Sequence, residues 1–343
     1  MTETAPSPPN RPSVALRRAQ AILAGLSLAL CLAIGACYAT RPTSAVLVTT
    51  FPVWAWLFPG LLVLAPSHSA PGRRRTLLIA GAWVLMVLAF AEEPRTALTG
   101  SREWPDPGWN RARAAGDGLR VVTANCAGGN ADVAREALVY GPDILLLQES
   151  PSAPELSEAV GEHLNCAFVW GLDASVVVHG KVRRVEVGQD DRGFVTVADA
   201  EVAGRTVRVI ATRLLLPYCE PDLWRPGAWR SAGGTYRARA EQMHAIRRYL
   251  AQTPAARPVI VGGDFNAPAG DRLVRALRPR LRDAYPERPI GLGNTIINEF
   301  PFSRIDQVWV SPDFGVHAVL ARKTEHSDHR LVVCDLSLRG STR

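Results

Sequence analysis

Apolar and polar positions divide this chain into two regimes. Residues 20–91 are overwhelmingly apolar, and the rest alternates short apolar runs with polar segments. Within the first regime, 20–39 (QAILAGLSLALCLAIGACYA) carries no charge and is long enough to cross a bilayer. The stretch 45–65 is similar, with two prolines and two tryptophans, and 76–91 is shorter but also uncharged. The pattern predicts a tail over 1–19 followed by three transmembrane helices at 20–39, 45–65 and 76–91. A signal peptide is the alternative for the first, with Arg17 and Arg18 as its basic start and IGAC, ending at Cys37, as a lipoprotein-like cleavage box. Two further apolar segments favour a plain anchor.

The second regime has a different period. LRVVTAN (119–125) reads as a strand ending in Asn, ADVAREALVYG (131–141) as a helix closed by Gly141, and DILLLQES (143–150) as a strand leading into Glu149. ASVVVHG and RTVRVIATRLLLP are strands, and TYRARAEQMHAIRRYLAQT is an amphipathic helix. PVIVGGDFN, IDQVWVS and LVVCDLSL are further strands. This alternation predicts a layered α/β domain over 118–340, with helices covering sheet faces. Mixed Pro, Gly, Asp and Arg over 92–117 predict a juxtamembrane linker.

Charge refines the membrane reading. The formal net charge is +7, but up to residue 117 there are 11 Arg against 6 acids, and beyond it 28 basic against 26 acidic residues. Most of the excess therefore flanks the apolar segments, where it suits membrane orientation better than polyanion binding. Arg11, Arg17 and Arg18 precede the first span, Arg41 alone follows it, and Arg73, Arg74 and Arg75 lie in the second loop. The positive-inside rule then puts the N-terminus in the cytoplasm and the α/β domain on the periplasmic or extracellular side of a multi-pass protein. Apolar spans of this kind offer no solute pathway, which argues against a transporter. The six cysteines contain no CxxC pair, so zinc is not expected. Cys126, Cys166, Cys219 and Cys334 read equally as disulfide partners of an exported domain and as buried thiols.

Candidate chemistry sits at strand ends. Asn125 ends one strand, Glu149 follows ILLLQ, Asp264 and Asn266 follow VIVGG, Asp306 precedes QVWV, and Ser327, Asp328 and His329 precede the last strand. Any one Asp or Asn there reads first as a turn or cap residue. Glu149 is harder to dismiss, because a carboxylate beside a fully apolar strand needs a partner, solvent or a metal. A hard divalent cation takes oxygen ligands and keeps several waters. A phosphoester is anionic, so its hydrolysis needs charge neutralisation, a carboxylate for the attacking water, and an uncharged donor for the phosphate. In GDFN, strand alternation puts Asp264 and Asn266 on one face.

The ordered set TAN, LLLQES, GGDFNAP, SRIDQVWV and SDHRLVVCDL resembles the endonuclease/exonuclease/phosphatase (DNase I-like) superfamily over residues 118–340. The resemblance implies a four-layered α/β sandwich, two packed sheets flanked by helices, and Mg²⁺- or Mn²⁺-dependent phosphoester hydrolysis. It implies Glu149 as main metal ligand, with Asn125 and Asp328 completing the metal site. Asp264 would orient or deprotonate water and Asn266 would bind phosphate. His329 would stabilise charge on the scissile phosphate, with Asp306 holding its tautomer. One departure stands out: the strand RVIATRLLLP resembles one that often ends in Thr-His, and here Arg213 follows Thr212. Arg213 reads as a phosphate clamp or as a surface arginine.

The segment 216–239 interleaves Tyr218, Trp224, Trp229 and Tyr236 with Arg225, Arg230, Arg237 and Arg239. Trp224, Arg225 and Trp229 there, with Arg213, are candidate substrate contacts, suited to stacked bases or to lipid headgroups at a bilayer surface. The expectation is a membrane-anchored, divalent-metal-dependent phosphoesterase acting on phosphodiesters of nucleic acid or phospholipid headgroups. The alternatives are a phosphomonoesterase on phosphorylated inositol or sugar, and a catalytically silent binding module.

Overall fold

A computed structural model describes residues 13–67, 72–99, 104–161, 165–217 and 224–339. The chain divides into two compact units, Met1–Ala91 and Glu92–Arg343.

The first unit is helical. Its long helix α1 (Val14–Thr40) starts at Ser13, whose hydroxyl accepts from the Leu16 amide at 3.2 Å. Short helices α2 (Val46–Thr50) and α3 (Leu57–Leu64) follow, then α4 (Arg73–Phe90). Gln20, Ala24, Ser27, Cys31, Ile34 and Tyr38 are the buried stripe of α1, at alternating spacings of three and four. Ser27 knits the helices together: its hydroxyl donates to the Gly60 carbonyl at 2.9 Å and accepts from Trp83 Nε1 at 3.0 Å.

Three spans are not what this sequence folds into. Among the described residues only α1 is a single helix long and apolar enough to cross a membrane. The predicted 45–65 span is broken into Thr43–Thr50 and Val53–Leu64, bent by 84°, and counts only if the bent pair is one span. Pro52 is the cause, since it lacks an N–H and drives Phe51 into the extended backbone seen there (φ −75°, ψ 152°). The predicted third span lies in α4, but Arg73, Arg74 and Arg75 form its first turn. The apolar part that remains is roughly 22 Å long at ~1.5 Å per residue, short of a ~30 Å hydrocarbon core. By length and composition α1 has the properties of a membrane span or of a signal sequence.

The second unit opens with α5 (Glu93–Thr99) and α6 (Pro107–Ala114), within the segment expected to be a linker. Asp106 caps α6 by accepting from the Trp109 amide at 3.0 Å. Trp104 and the buried Trp109 dock on the sheet, their indole N–H groups donating to Asp335 at 2.9 Å and to the Leu119 carbonyl at 3.2 Å. The chain then runs β1 (Gly118–Asn125), α7 (Ala131–Leu138), β2 (Ile144–Gln148), α8 (Ala153–Gly161), β3 (Cys166–Val169), β4 (Ala174–His179), β5 (Lys181–Val185), β6 (Val195–Val202) and β7 (Arg205–Arg213). After these come α9 (Pro226–Gln252), β8 (Val259–Asp264), β9 (Arg282–Asp283), β10 (Pro289–Ile290), β11 (Asp306–Val310), β12 (Phe314–Arg322) and β13 (Leu331–Leu338).

The strands form a seven-stranded sheet, β10-β12-β13-β1-β2-β4-β3, and a six-stranded sheet, β5-β6-β7-β8-β11-β9. Side-chain alternation explains the layers. Val121, Ile144, Leu146 and Val176 of one sheet meet Val207, Val209, Ile260 and Val308 of the other in a shared core. Their neighbours Val122, Leu145, Leu147 and Val177 face outward onto α7 and α8. Ile210, Val259, Val261 and Trp309 face outward onto α9 through Met243, Ile246 and Leu250. Both faces of each central strand are thus covered, which is why these strands are continuous apolar runs in sequence. Cys126, Cys166 and Cys334 are free thiols; Cys219 lies outside the described residues.

Candidate active site

Topology alone brings the polar strand ends together. β1 and β2 are parallel neighbours, so Asn125 and Glu149 emerge at the same edge. β7 and β8 are parallel, with Arg213 paired to Asp264 in register. β11 runs antiparallel to β8 and begins there, placing Asp306 opposite Asp264. β13 runs antiparallel to β1 with Thr123 opposite Val332, so the turn just before it, carrying Ser327 to His329, returns to the same end. The two sheets therefore deliver five strand ends and one turn to a single site.

Hydrogen bonds close these residues into one network. Asn125 Nδ2 lies 3.2 Å from both Glu149 Oε1 and Asp264 Oδ2, bridging the sheets. Glu149 Oε2 accepts from the Gly128 amide at 2.6 Å, and Oε1 accepts from Arg213 Nη2 at 2.7 Å. Asp264 Oδ1 accepts from the Asn266 amide at 2.8 Å, and Oδ2 from Asn266 Nδ2 at 3.2 Å. Asn266 Nδ2 also reaches the Leu214 carbonyl at 2.8 Å. His329 Nδ1 sits 2.9 Å from Asp306 Oδ2. Ser327 ties the turn down, donating to the Asn125 carbonyl at 2.8 Å and accepting from the His329 amide at 3.0 Å. Glu149 (φ 47°) and Asn266 (φ 49°) both hold left-handed backbone, a cost that surrounding structure sustains at functional sites.

Burial and like charge set the electrostatics. Burial of Asp264, followed by the facing Asp306 carboxylate, pushes its pKa up to about 7. Burial acts against protonated His329, but Asp306, with Asp264 and Asp328 behind it, raises its pKa to about 10. Glu149 behaves oppositely: burial would raise it, yet Arg213, Asn125 and the Gly128 amide together hold it below the usual carboxylate range. At neutral pH the site thus holds a protonated imidazole, an ionised Glu149, and an Asp264 whose pKa lies well above the usual carboxylate range.

The donor set suits a hard divalent cation. Ligand atoms of Asp264, Asp306 and His329 lie within 4.8 Å of one another, all buried. Asp306 Oδ1 is buried with no hydrogen-bond partner among the described residues, an acceptor waiting for a donor or an ion. Glu149 adds a carboxylate beside this cluster, and Asn125 a carboxamide whose Nδ2 faces the carboxylates while its Oδ1 accepts from the Ala127 amide at 3.0 Å. A His329 that keeps its proton is no ligand, and the oxygen donors that remain, from Asp264, Asp306 and Glu149, fit Mg²⁺ or Mn²⁺.

The remaining candidates are placed differently. The Asp328 side chain is exposed, and its backbone carbonyl accepts from the Asn298 amide at 2.7 Å. Trp224 and Arg225 are exposed and Trp229 is half-buried, all at the start of α9, and the network above runs through other residues. The helix expected from Thr235 starts earlier within the aromatic-basic segment, since α9 begins at Pro226, whose fixed φ suits a first helical turn. Gly262 and Gly263 serve the sheets rather than a ligand. A Cβ on Gly263 would lie 1.9 Å from the Thr212 carbonyl oxygen, and one on Gly262 would lie 2.6 Å from Leu146 across the shared core. Sequence reasoning missed Asp173, whose carboxylate accepts from Arg213 Nη1 at 3.1 Å. Its only signal was an Asp just before an apolar strand, the ordinary position of a turn residue.

Two packed sheets, helices outside them, and a carboxylate–amide–imidazole cluster at one end define a DNase I-like fold. The chain belongs to the endonuclease/exonuclease/phosphatase family, whose model matches residues 122–329. Solved structures agree on the fold. Humanized D. rerio TDP2 carrying 14 mutations is 16% identical, with a TM-score of 0.51, covering 64% of this chain and 99% of its own. An endonuclease/exonuclease/phosphatase family protein from Bacteroides thetaiotaomicron is 17% identical, with a TM-score of 0.51 and coverage of 65% and 98%. The mannosyl-6-phosphatase of Bacteroides thetaiotaomicron VPI-5482 gives 17%, 0.51, 64% and 100%. No curated protein matches the sequence.

Proposed function

We propose that this protein is a divalent-metal-dependent phosphoesterase that hydrolyses its ester by direct attack of water. The buried Asp264–Asp306–His329 cluster carries this reading, because it joins a near-neutral carboxylate to a protonated imidazole beside Glu149. Glu149 and Asn125 would hold Mg²⁺ or Mn²⁺, with Asp328 as a further candidate. Bound there, the ion would neutralise charge developing on a phosphoryl oxygen.

This chain's own residues do the rest. Asp264, with a pKa near 7, is poised to orient a water and accept its proton. Asn266 Nδ2, which donates to Asp264 Oδ2 and the Leu214 carbonyl, would serve as an uncharged donor to a phosphate oxygen once it turns from one of them. His329 holds its proton at neutral pH, so it acts as a cationic donor to the phosphate, and Asp306 fixes its Nδ1 so that Nε2 is the atom offered.

The leading substrate class is a phosphodiester, in nucleic acid or a phospholipid headgroup. A phosphomonoester of a sugar or inositol is the second reading, favoured by Arg213, whose extra positive charge suits an extra negative one. The test uses the full chain with bis-p-nitrophenyl phosphate and p-nitrophenyl phosphate, in Mg²⁺, Mn²⁺ or EDTA. Turnover is expected with metal and not in EDTA, and the preferred ester separates the two classes. No turnover of either ester with either metal would count against the proposal.

We also propose that α1 anchors the protein in the cell membrane. Arg17 and Arg18 within its first turns suit a cytoplasmic start, which puts the second unit outside if α1 alone spans. A cytoplasm-only reporter fused at residue 110 should be inactive; an active one would overturn this orientation.

A further inference from the structure

Arg213 occupies a position with two opposed electrostatic effects. Its Nη2 is 2.7 Å from Glu149 Oε1, and its Nη1 is 3.1 Å from Asp173 Oδ2. Asp173 therefore fixes the guanidinium against the carboxylate that would hold the metal. The Arg213 side chain is 23% exposed, so its charge is only partly screened by water. Its Nε is buried and meets no acceptor among the described residues, and two further N–H bonds on its terminal nitrogens are not used by Glu149 or Asp173. Arginine keeps its charge at any working pH.

A divalent cation arriving at Glu149 meets this fixed positive charge held 2.7 Å from the same carboxylate. An anion arriving beside it meets a fork of N–H donors already in place. We propose that Arg213 makes cation binding at Glu149 conditional on phosphate. Alone, the cation binds weakly; with a phosphate group touching both the cation and the guanidinium's unused N–H groups, both bind tightly, so metal and substrate load together. This deepens the phosphoesterase reading and rests on it.

The experiment measures Mn²⁺ affinity of the full chain by electron paramagnetic resonance of free Mn²⁺, with and without inorganic phosphate. It compares wild type with Arg213→Gln and Arg213→Lys, and follows Mn²⁺-dependent hydrolysis of the model ester in the same samples. Without phosphate, Arg213→Gln should bind Mn²⁺ about tenfold more tightly than wild type. Phosphate should tighten Mn²⁺ binding about tenfold in wild type, by less in Arg213→Lys, which keeps the charge without the fork, and by less than about twofold in Arg213→Gln. If Arg213 merely holds Glu149 in place, Arg213→Gln binds Mn²⁺ no better than wild type, and the inference is overturned. Equal tightening by phosphate in all three proteins overturns it too. Either result with hydrolysis intact leaves the phosphoesterase reading standing; wild type that neither binds Mn²⁺ nor hydrolyses the ester ends both.

Discussion

His329 is a buried imidazole against a buried carboxylate, and its proton is held to about pH 10, against 6.5 for an unperturbed histidine. Folding therefore favours the protonated form. The stabilisation is fully present below pH 6.5 and is lost as pH rises through about 10. Urea denaturation in EDTA across that window should show wild type losing stability with pH, while His329→Gln stays flatter; equal slopes would contradict the assignment. For catalysis, Asp264→Asn keeps the shape and removes the proposed base, so kcat should fall by about 10²- to 10³-fold with a native circular dichroism spectrum. Most of these residues were legible in sequence because each is a polar group where an apolar strand stops, and burial makes such a group conspicuous. Asp173 was not legible, because its meaning comes from Arg213, far away in the chain and on another sheet.

At the scale of elements, apolar runs located β1, β2, β4, β8, β11 and β13 to within a residue or two, since strands covered on both faces must be apolar throughout, but they overran β7 by four residues and left β6 and β12 unread. β5 is exposed along much of its length and its strand pattern is weak, so it was not legible in the same way. The membrane reading failed where local backbone chemistry overrode hydropathy, at Pro52 and at the three arginines opening α4. Gly263 is the element-scale test. Its φ of +139° and the Thr212 oxygen leave no room for a Cβ, so Gly263→Ala should cost about 2–3 kcal/mol in urea denaturation. Gly233, inside α9 with nothing within 4 Å of a built Cβ, should gain up to about 1 kcal/mol on substitution by Ala. Similar small effects at both positions would show that the β7–β8 pairing is looser than described.

At the scale of the whole molecule, the second unit reaches further toward the N-terminus than its sequence pattern suggested. Arg304, buried two residues before Asp306, pairs with Glu92 at 2.7 Å and Asp283 at 2.6 Å and stacks on Tyr285. A chain starting at Glu92 keeps this triad, the Trp104–Asp335 bond and the buried Trp109. One starting at Gly118 loses all three, leaving Arg304 to Asp283 and Asp335 to Arg120. The shorter chain should be less stable by at least about 3 kcal/mol, read by thermal and chemical denaturation. Equal stability would mean that residues 92–117 contribute nothing to the fold. Net charge, by contrast, said little about this unit, since its surface is nearly balanced.

Residue, element and whole molecule bear on one proposal: the end of the two sheets where Asn125, Glu149, Asp264, Asp306 and His329 meet would hold a single divalent cation and the phosphate it serves. Diffraction from crystals of the chain starting at Glu92, soaked in Mn²⁺ and collected at the manganese absorption edge, tests it most directly. The account predicts one strong anomalous peak coordinated by Glu149, with Asn125 beside it. A crystal with that edge of the sheets open to solvent and no peak there, or with its strongest peak elsewhere, would contradict it.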